Sequence, residues 1–172
     1  MAMPSLKSIS RKGVPVRVRV GGPILGHTMF HQSKGTLHYS IAKVKSLEDP
    51  KVWIDSYRLA VLIDPGISLF YRSLIPKYYN VKPQMHDPHI SVVRYENPPN
   101  MDFWGVYEGE MIKFLYDPII QNDVTYWWLN VFCKRLEEIR LELGLPVSSP
   151  FTRPPDGFDK VFHTTIGNCK KL

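Results

Sequence analysis

The chain has 172 residues, enough for one compact domain with a full hydrophobic core. Its hydrophobic content of 44% and charged content of 22% are ordinary for a globular protein, and they exclude collagenous, disordered and membrane-spanning classes. The net charge of +6 originates in residues 1–47, which hold eight Lys or Arg and no Asp or Glu. This basic stretch either binds phosphate groups or forms a solvated arm.

Two cysteines without metal-type spacing are too few for a disulfide framework, and the basic N-terminus is not followed by an apolar signal segment. We therefore expect a cytoplasmic protein.

The first half of the chain predicts an extension followed by a strand–helix–strand unit. Residues 1–35 are basic and rich in glycine, and we interpret them as an N-terminal extension with one edge strand over residues 14–20. We place the folded domain at residues 36–172. Its alternating or apolar segments predict strands over residues 36–44, 58–63 and 89–94. Asp64 and Pro65 predict the start of a helix that ends before Pro76.

The second half predicts several strands, a helix and a last strand. The strands are expected over residues 103–107, 110–116, 125–129 and 160–166. Apolar residues at helical spacing predict a helix over residues 132–143, which Gly144 and Pro146 end, and residues 148–157 form a loop. The element order describes a single α+β domain, in which two lobes of similar content share a cleft.

The final strand of each lobe contains a histidine two positions before a hydroxyl residue. The sequences are His89-Ile90-Ser91-Val92 and His163-Thr164-Thr165-Ile166. Because residues i and i+2 of a strand share a face, each strand presents an imidazole beside a hydroxyl. One imidazole can accept the proton of an attacking hydroxyl while the other protonates a leaving oxygen, and the hydroxyls can bind phosphate oxygens. The pattern thus predicts phosphodiester chemistry that needs no metal and no cofactor.

A third segment, His38-Tyr39-Ser40-Ile41, has the same spacing. It follows only the basic extension, whereas the other two segments each follow strands and a helix. We therefore expect His38 to lie on an exposed strand without a catalytic role.

The paired motifs resemble the signature of the two-histidine phosphoesterase superfamily, His-apolar-Ser/Thr-apolar repeated once, with Thr164 as the one departure. The resemblance covers residues 58–172 and leaves residues 1–57 unexplained. It implies a two-lobed fold in which antiparallel sheets line a central cleft with helices outside. It also implies four catalytic residues, His89, Ser91, His163 and Thr165.

Within that superfamily the chain is most similar to the bacteriophage anti-CBASS phosphodiesterases. The similar segments include Trp104-Gly105-x-Tyr107-x-Gly109, Tyr126-Trp127-Trp128-Leu129 and Phe162-His163-x-Thr165-Ile166-Gly167-Asn168. The resemblance implies a phosphodiesterase that cleaves 3′–5′ linkages in the cyclic di- and trinucleotide messengers of bacterial antiviral signalling, and so supports viral immune evasion. Two alternatives stay open: an RNA-end enzyme that opens 2′,3′-cyclic phosphates, and a non-catalytic nucleotide-binding or sponge protein.

Four aromatic residues are candidates for stacking on nucleobases, since such stacking does not depend on base identity. They are Trp104, Trp127, Trp128 and Tyr57. In a strand Trp127 and Trp128 point to opposite faces, so at most one of them can contact the substrate. All four can equally be core residues.

Overall fold

The computed structural model describes residues 29–157 and 162–170. They contain seven strands and two α-helices, together with two short 3₁₀ turns at Lys77–Tyr79 and Met101–Phe103. The strands are β1 (His31–Lys45), β2 (Trp53–Ile63), β3 (His89–Glu96), β4 (Met111–Tyr116), β5 (Gln121–Asn122), β6 (Tyr126–Phe132) and β7 (Phe162–Asn168). The helices are α1 (Pro65–Ser73) and α2 (Lys134–Glu142).

The strands form one antiparallel sheet in the order β4-β1-β2-β3-β7-β6-β5. β4 also pairs with β6 through two residue pairs, so the sheet curves until its ends meet. The pairing between β3 and β7 is the shortest between neighbouring strands of this sheet, because it consists of the single residue pair Ile90 and Thr164. An antiparallel sheet with two helices confirms the predicted α+β class.

The sequence signals at the start of α1 are confirmed. The Asp64 carboxylate accepts a hydrogen bond from the Gly66 N–H at 2.8 Å, and Pro65 occupies the first turn, where its missing N–H costs nothing. Tyr71 of α1 is buried, and its ring packs edge-on against Tyr116 of β4. The helix is therefore fixed to the sheet beside the end of β7.

Helix α2 is joined to β3 by one buried arginine. Arg140 is fully buried and donates two hydrogen bonds to the Glu96 carboxylate, at 2.8 and 2.9 Å. The same guanidinium donates to the carbonyl oxygens of Val92 at 2.6 Å and Pro146 at 2.7 Å. Such a bidentate arrangement holds β3 and the loop after α2 in one geometry.

One predicted strand is wrong. Residues 103–107 alternate in a strand-like manner, but the structure has the 3₁₀ turn Met101–Phe103 followed by further turns up to Gly109. Gly105 and Gly109 have φ angles of +83° and +79°, which an extended strand does not contain and glycine adopts without steric cost. These glycines turn the chain back towards β1 instead of extending it.

Several predicted boundaries differ from the observed ones. β1 begins at His31, so residues 31–35 of the predicted extension pair with β4. β2 begins at Trp53 rather than 58, and β7 spans Phe162–Asn168 rather than residues 160–166. The edge strand predicted over residues 14–20 lies outside the described residues. Within the described ranges no helix is long and apolar enough to cross a membrane.

Candidate active site

The register of β3 and β7 brings the two histidine motifs together. Ile90 pairs with Thr164, and both side chains are buried on the core side of the sheet. Since side chains alternate along a strand, the residues on either side of this pair point to the opposite face. Those residues are the four that were predicted to be catalytic, all half-buried: His89, Ser91, His163 and Thr165.

Antiparallel pairing also decides which of the four are neighbours. From the pair Ile90 and Thr164, the register places Thr165 opposite His89 and His163 opposite Ser91. Each imidazole therefore has a hydroxyl two residues along its own strand and another across the strand boundary. The two histidines stand on the diagonal, where Cα atoms are typically about 7–8 Å apart. This separation leaves room for one phosphate group between the imidazoles.

Both imidazoles are oriented by backbone carbonyls. The Nδ1 atom of His89 lies 2.7 Å from the carbonyl oxygen of Asp87, and Nδ1 of His163 lies 3.0 Å from that of Thr152. A carbonyl oxygen only accepts hydrogen bonds, so Nδ1 of each ring donates and carries the proton. In the neutral ring Nε2 then has a free lone pair. Each histidine thus has the tautomer that a general base acting through Nε2 requires.

The environment of His163 favours its neutral form. Burial lowers the pKa of His163 to about 4, against the opposing effect of the hydrogen bond to Thr152. Electrostatic interactions with His89 and Arg94 lower this pKa further, and the Asp156 carboxylate raises it. His163 is consequently neutral at physiological pH, as a proton acceptor must be. Arg94 and Asp156 are close enough to act on this site.

Strand β6 forms the wall beside β7. Trp128 pairs with Thr165 and Asn130 pairs with His163, so both flank the candidate catalytic residues. The indole N–H of Trp128 donates to the Asn130 side-chain oxygen at 3.0 Å, and both side chains are buried. Trp128 therefore supports the site from the side, and its ring is not open for stacking on a base. Trp127 belongs to the hydrophobic core and packs against the ring of Tyr79 at 5.1 Å.

Trp104 and Tyr57 are placed apart from the four candidate catalytic residues. Their rings meet edge-on at 5.0 Å, Trp104 also meets Tyr39 at 4.9 Å, and the group packs against the core. Tyr57 pairs with Glu96, at the far end of β3 from His89. Along β2, Tyr57 lies three residues from Ala60, the partner of Ser91, which is about 10 Å at about 3.3 Å per residue. Both rings pack against the core, outside the group formed by the four candidate residues.

His38 lies on the same face of the sheet as the four candidate catalytic residues. It pairs with Ala60, which in turn pairs with Ser91, so His38 is two strands away, or about 10 Å. Its Nδ1 atom lies 2.9 Å from a carboxylate oxygen of Glu108. The other carboxylate oxygen accepts the Tyr39 N–H, and these two hydrogen bonds lower the pKa of Glu108. The hydrogen bond fixes the His38 imidazole beside Glu108.

Sequence reasoning missed the groups that orient the catalytic residues. The carbonyls of Asp87 and Thr152 have no sequence signature, because every residue has a backbone carbonyl. Asn130 and Asp156 approach the site only through strand pairing and loop position. Across residues 29–157 and 162–170 no group of three or more His, Cys, Asp or Glu side chains is arranged to hold a metal ion.

Comparison with known proteins adds no relative: neither the family models, nor the curated proteins, nor the solved structures contain a significant match to this chain.

Proposed function

We propose that this protein is a metal-independent phosphodiesterase that cleaves 3′–5′ linkages in cyclic di- and trinucleotides. One observation carries the proposal. Two carbonyl-oriented imidazoles and two hydroxyls occupy a two-by-two array on one face of the sheet. The array supplies a proton acceptor, a proton donor and two hydrogen-bond donors around a single phosphate, which is what phosphodiester cleavage requires.

The lowered pKa of His163 supports its role as the proton acceptor in the proposed reaction. Neutral His163 accepts the proton of the ribose 2′-hydroxyl through Nε2, and the 2′ oxygen forms a bond to phosphorus. The bond from phosphorus to the 5′ oxygen breaks, and protonated His89 donates its Nε2 proton to that leaving oxygen. The product is a linear nucleotide that ends in a 2′,3′-cyclic phosphate. Because the attack is intramolecular, positioning contributes much of the acceleration.

The remaining groups stabilise the charge that develops on phosphorus-bound oxygens. The hydroxyls of Ser91 and Thr165 donate to the two non-bridging oxygens, where removal of one such donor typically costs about 10²–10³ in rate. The Arg94 guanidinium, which interacts electrostatically with His163, offsets the negative charge of the phosphate. We propose that the cleft of a two-lobed fold runs over the single-pair contact between β3 and β7, with β1 to β4 in one lobe and β5 to β7 in the other.

The substrate class comes from the resemblance of the motif segments to the anti-CBASS phosphodiesterases. It gives the protein a role in the cytoplasm of an infected bacterium, where removal of cyclic nucleotide messengers would silence antiviral signalling. The basic residues before position 48 fit an anionic substrate.

The test is turnover of a cyclic dinucleotide by a sub-stoichiometric amount of the full chain, with products separated by chromatography. The proposal expects linear product in large excess over protein, and it expects a substrate with 2′-deoxyribose at the cut site to bind without being cleaved. Release of intact ligand would identify a sponge protein. Turnover of terminal 2′,3′-cyclic phosphates with no action on cyclic dinucleotides would identify the RNA-end enzyme. Rapid cleavage of the deoxy analogue would exclude attack by the 2′-hydroxyl.

A further inference from the structure

A cavity of about 320 Å³ opens beside Thr165, next to the catalytic residues. It lies where the edge of β7 has no strand partner, between the pair of Thr164 with Ile90 and the bridge of Asn168 with Lys82. Helix α1 and residues 83–88 form the other walls. Arg72 of α1 donates to the carbonyl oxygen of Ile166 at 3.0 Å, in place of the missing strand. This bond fixes the guanidinium at the cavity wall.

One polar side chain of the cavity wall has no hydrogen-bond partner among the described residues. Ser68 is 3% exposed and lines the cavity, yet its hydroxyl has no hydrogen-bond partner among the described residues. A ligand group that bonded to this hydroxyl would supply the hydrogen bond that it lacks. Over the same described part of the chain, neither Arg72 nor Asp87 takes part in an ion pair. The cavity thus presents a hydroxyl, a guanidinium and a carboxylate to whatever enters it.

The shape and charge of the cavity favour a neutral, flat ligand. Its volume is at the lower end of the range for small-molecule pockets, about 300–1,000 Å³, and is far larger than a phosphate ion needs. One guanidinium and one carboxylate in the lining cancel, so a phosphate dianion gains no net attraction. Apolar side chains complete the walls and suit the faces of an aromatic base: Pro65, Leu69, Pro83 and Met85.

We infer that this cavity binds a guanine base, namely that of the nucleotide whose phosphate lies at Thr165. This inference rests on the proposed phosphodiesterase function for the position of the phosphate. Guanine offers two acceptors, O6 and N7, to a guanidinium such as that of Arg72, and its N1 and N2 hydrogens can bond to the Asp87 carboxylate. Adenine places an amino donor where guanine has O6, and this donor opposes the Arg72 N–H groups. The cavity therefore sets the base preference of the enzyme.

The test is equilibrium binding of 5′-GMP and 5′-AMP to the full chain by calorimetry, which needs no turnover. GMP is expected to bind about 10-fold more tightly than AMP. Arg72→Ala should remove this preference. Arg72→Lys keeps the charge and one bond to Ile166 but lacks the two parallel N–H donors of a guanidinium, so it should remove most of the preference. Lys51→Ala removes one exposed positive charge far from the cavity and should leave the ratio unchanged.

Ser68→Ala separates ligand recognition from a structural role. If the hydroxyl serves the ligand, this variant weakens GMP binding severalfold while its melting temperature stays the same or rises. Equal binding of GMP and AMP, or a GMP preference that survives both Arg72 substitutions, would overturn the inference. A GMP preference in a protein that cleaves no cyclic dinucleotide would leave the cavity assignment standing and refute the proposed function. Cleavage of cyclic dinucleotides without any GMP preference would leave the proposed function standing and refute the cavity assignment.

Discussion

Two adjacent threonines of β7 have opposite predicted responses to the same substitution. Thr164 is 1% exposed on the core side, and its hydroxyl has no hydrogen-bond partner within the described residues. Thr165 is half-buried on the catalytic face. Valine has the shape of threonine without the hydroxyl, so Thr164→Val removes an unsatisfied polar group and fills the same space.

Thr164→Val should therefore stabilise the protein, because an unbonded buried hydroxyl costs about 1–3 kcal/mol. With an m value of about 2 kcal/mol per molar urea, the unfolding midpoint rises by about half a molar or more while m itself stays constant. Turnover of the cyclic dinucleotide should not change. Thr165→Val is the matched control: its midpoint should stay within about 0.25 M of the wild type, and its turnover should fall by about 10²-fold.

The assays are urea unfolding followed by tryptophan fluorescence and the chromatographic turnover assay on the same preparations. If Thr164→Val were destabilised and inactive while Thr165→Val kept full activity, the core face and the opposite face of β7 would be the reverse of those described here. That result would refute the register from which the candidate active site is built.

Three further outcomes follow from the same structure. The pKa of His163 is lowered to about 4 in the folded protein, so between about pH 6.5 and 4 the unfolded chain binds more protons. The free energy of unfolding should consequently fall as pH drops through this window, and His163→Gln should lose this part of the pH dependence in urea titrations. Arg140→Met should lower the free energy of unfolding by about 3–5 kcal/mol, because Glu96 loses its buried partner; an unfolding midpoint equal to that of the wild type would contradict the bonding seen here. Turnover should be unchanged in excess EDTA, and activity that is lost in chelator and restored by a divalent ion would exclude catalysis by protein groups alone.

Local signals in the sequence predicted the elements that carry the site. Asp64 and Pro65 mark the start of α1, and the alternation after Pro88 marks β3, since capping and side-chain periodicity depend on neighbouring residues only. The shared face of His89 and Ser91 follows from the same two-residue period. The turn at residues 103–107 escaped prediction because aromatic and β-branched residues around Gly105 imitate a strand, and the φ angle of a glycine is not visible in sequence.

The contacts that turn two motifs into one site were beyond sequence reasoning. The pairing of Ile90 with Thr164 joins segments far apart in the chain, and nothing local specifies it. The burial of Trp128 and the packing of Trp104 on Tyr57 depend on the same long-range arrangement, which is why the aromatic candidates could not be separated into core and site residues. The cavity beside Thr165 exists only because β3 and β7 separate after one pair.

The most direct measurement of the central claim is a double-mutant cycle on the two histidines. His89→Ala and His163→Ala should each lower kcat/KM for a cyclic dinucleotide by at least about 10²-fold, and the double variant should be scarcely slower than either single one, because acid and base act in the same step. Binding of the substrate should persist in all three, and His38→Ala should keep nearly full activity. Additive losses from His89 and His163, or loss of activity in His38→Ala with full activity in His89→Ala, would contradict the assignment of this pair as the catalytic unit.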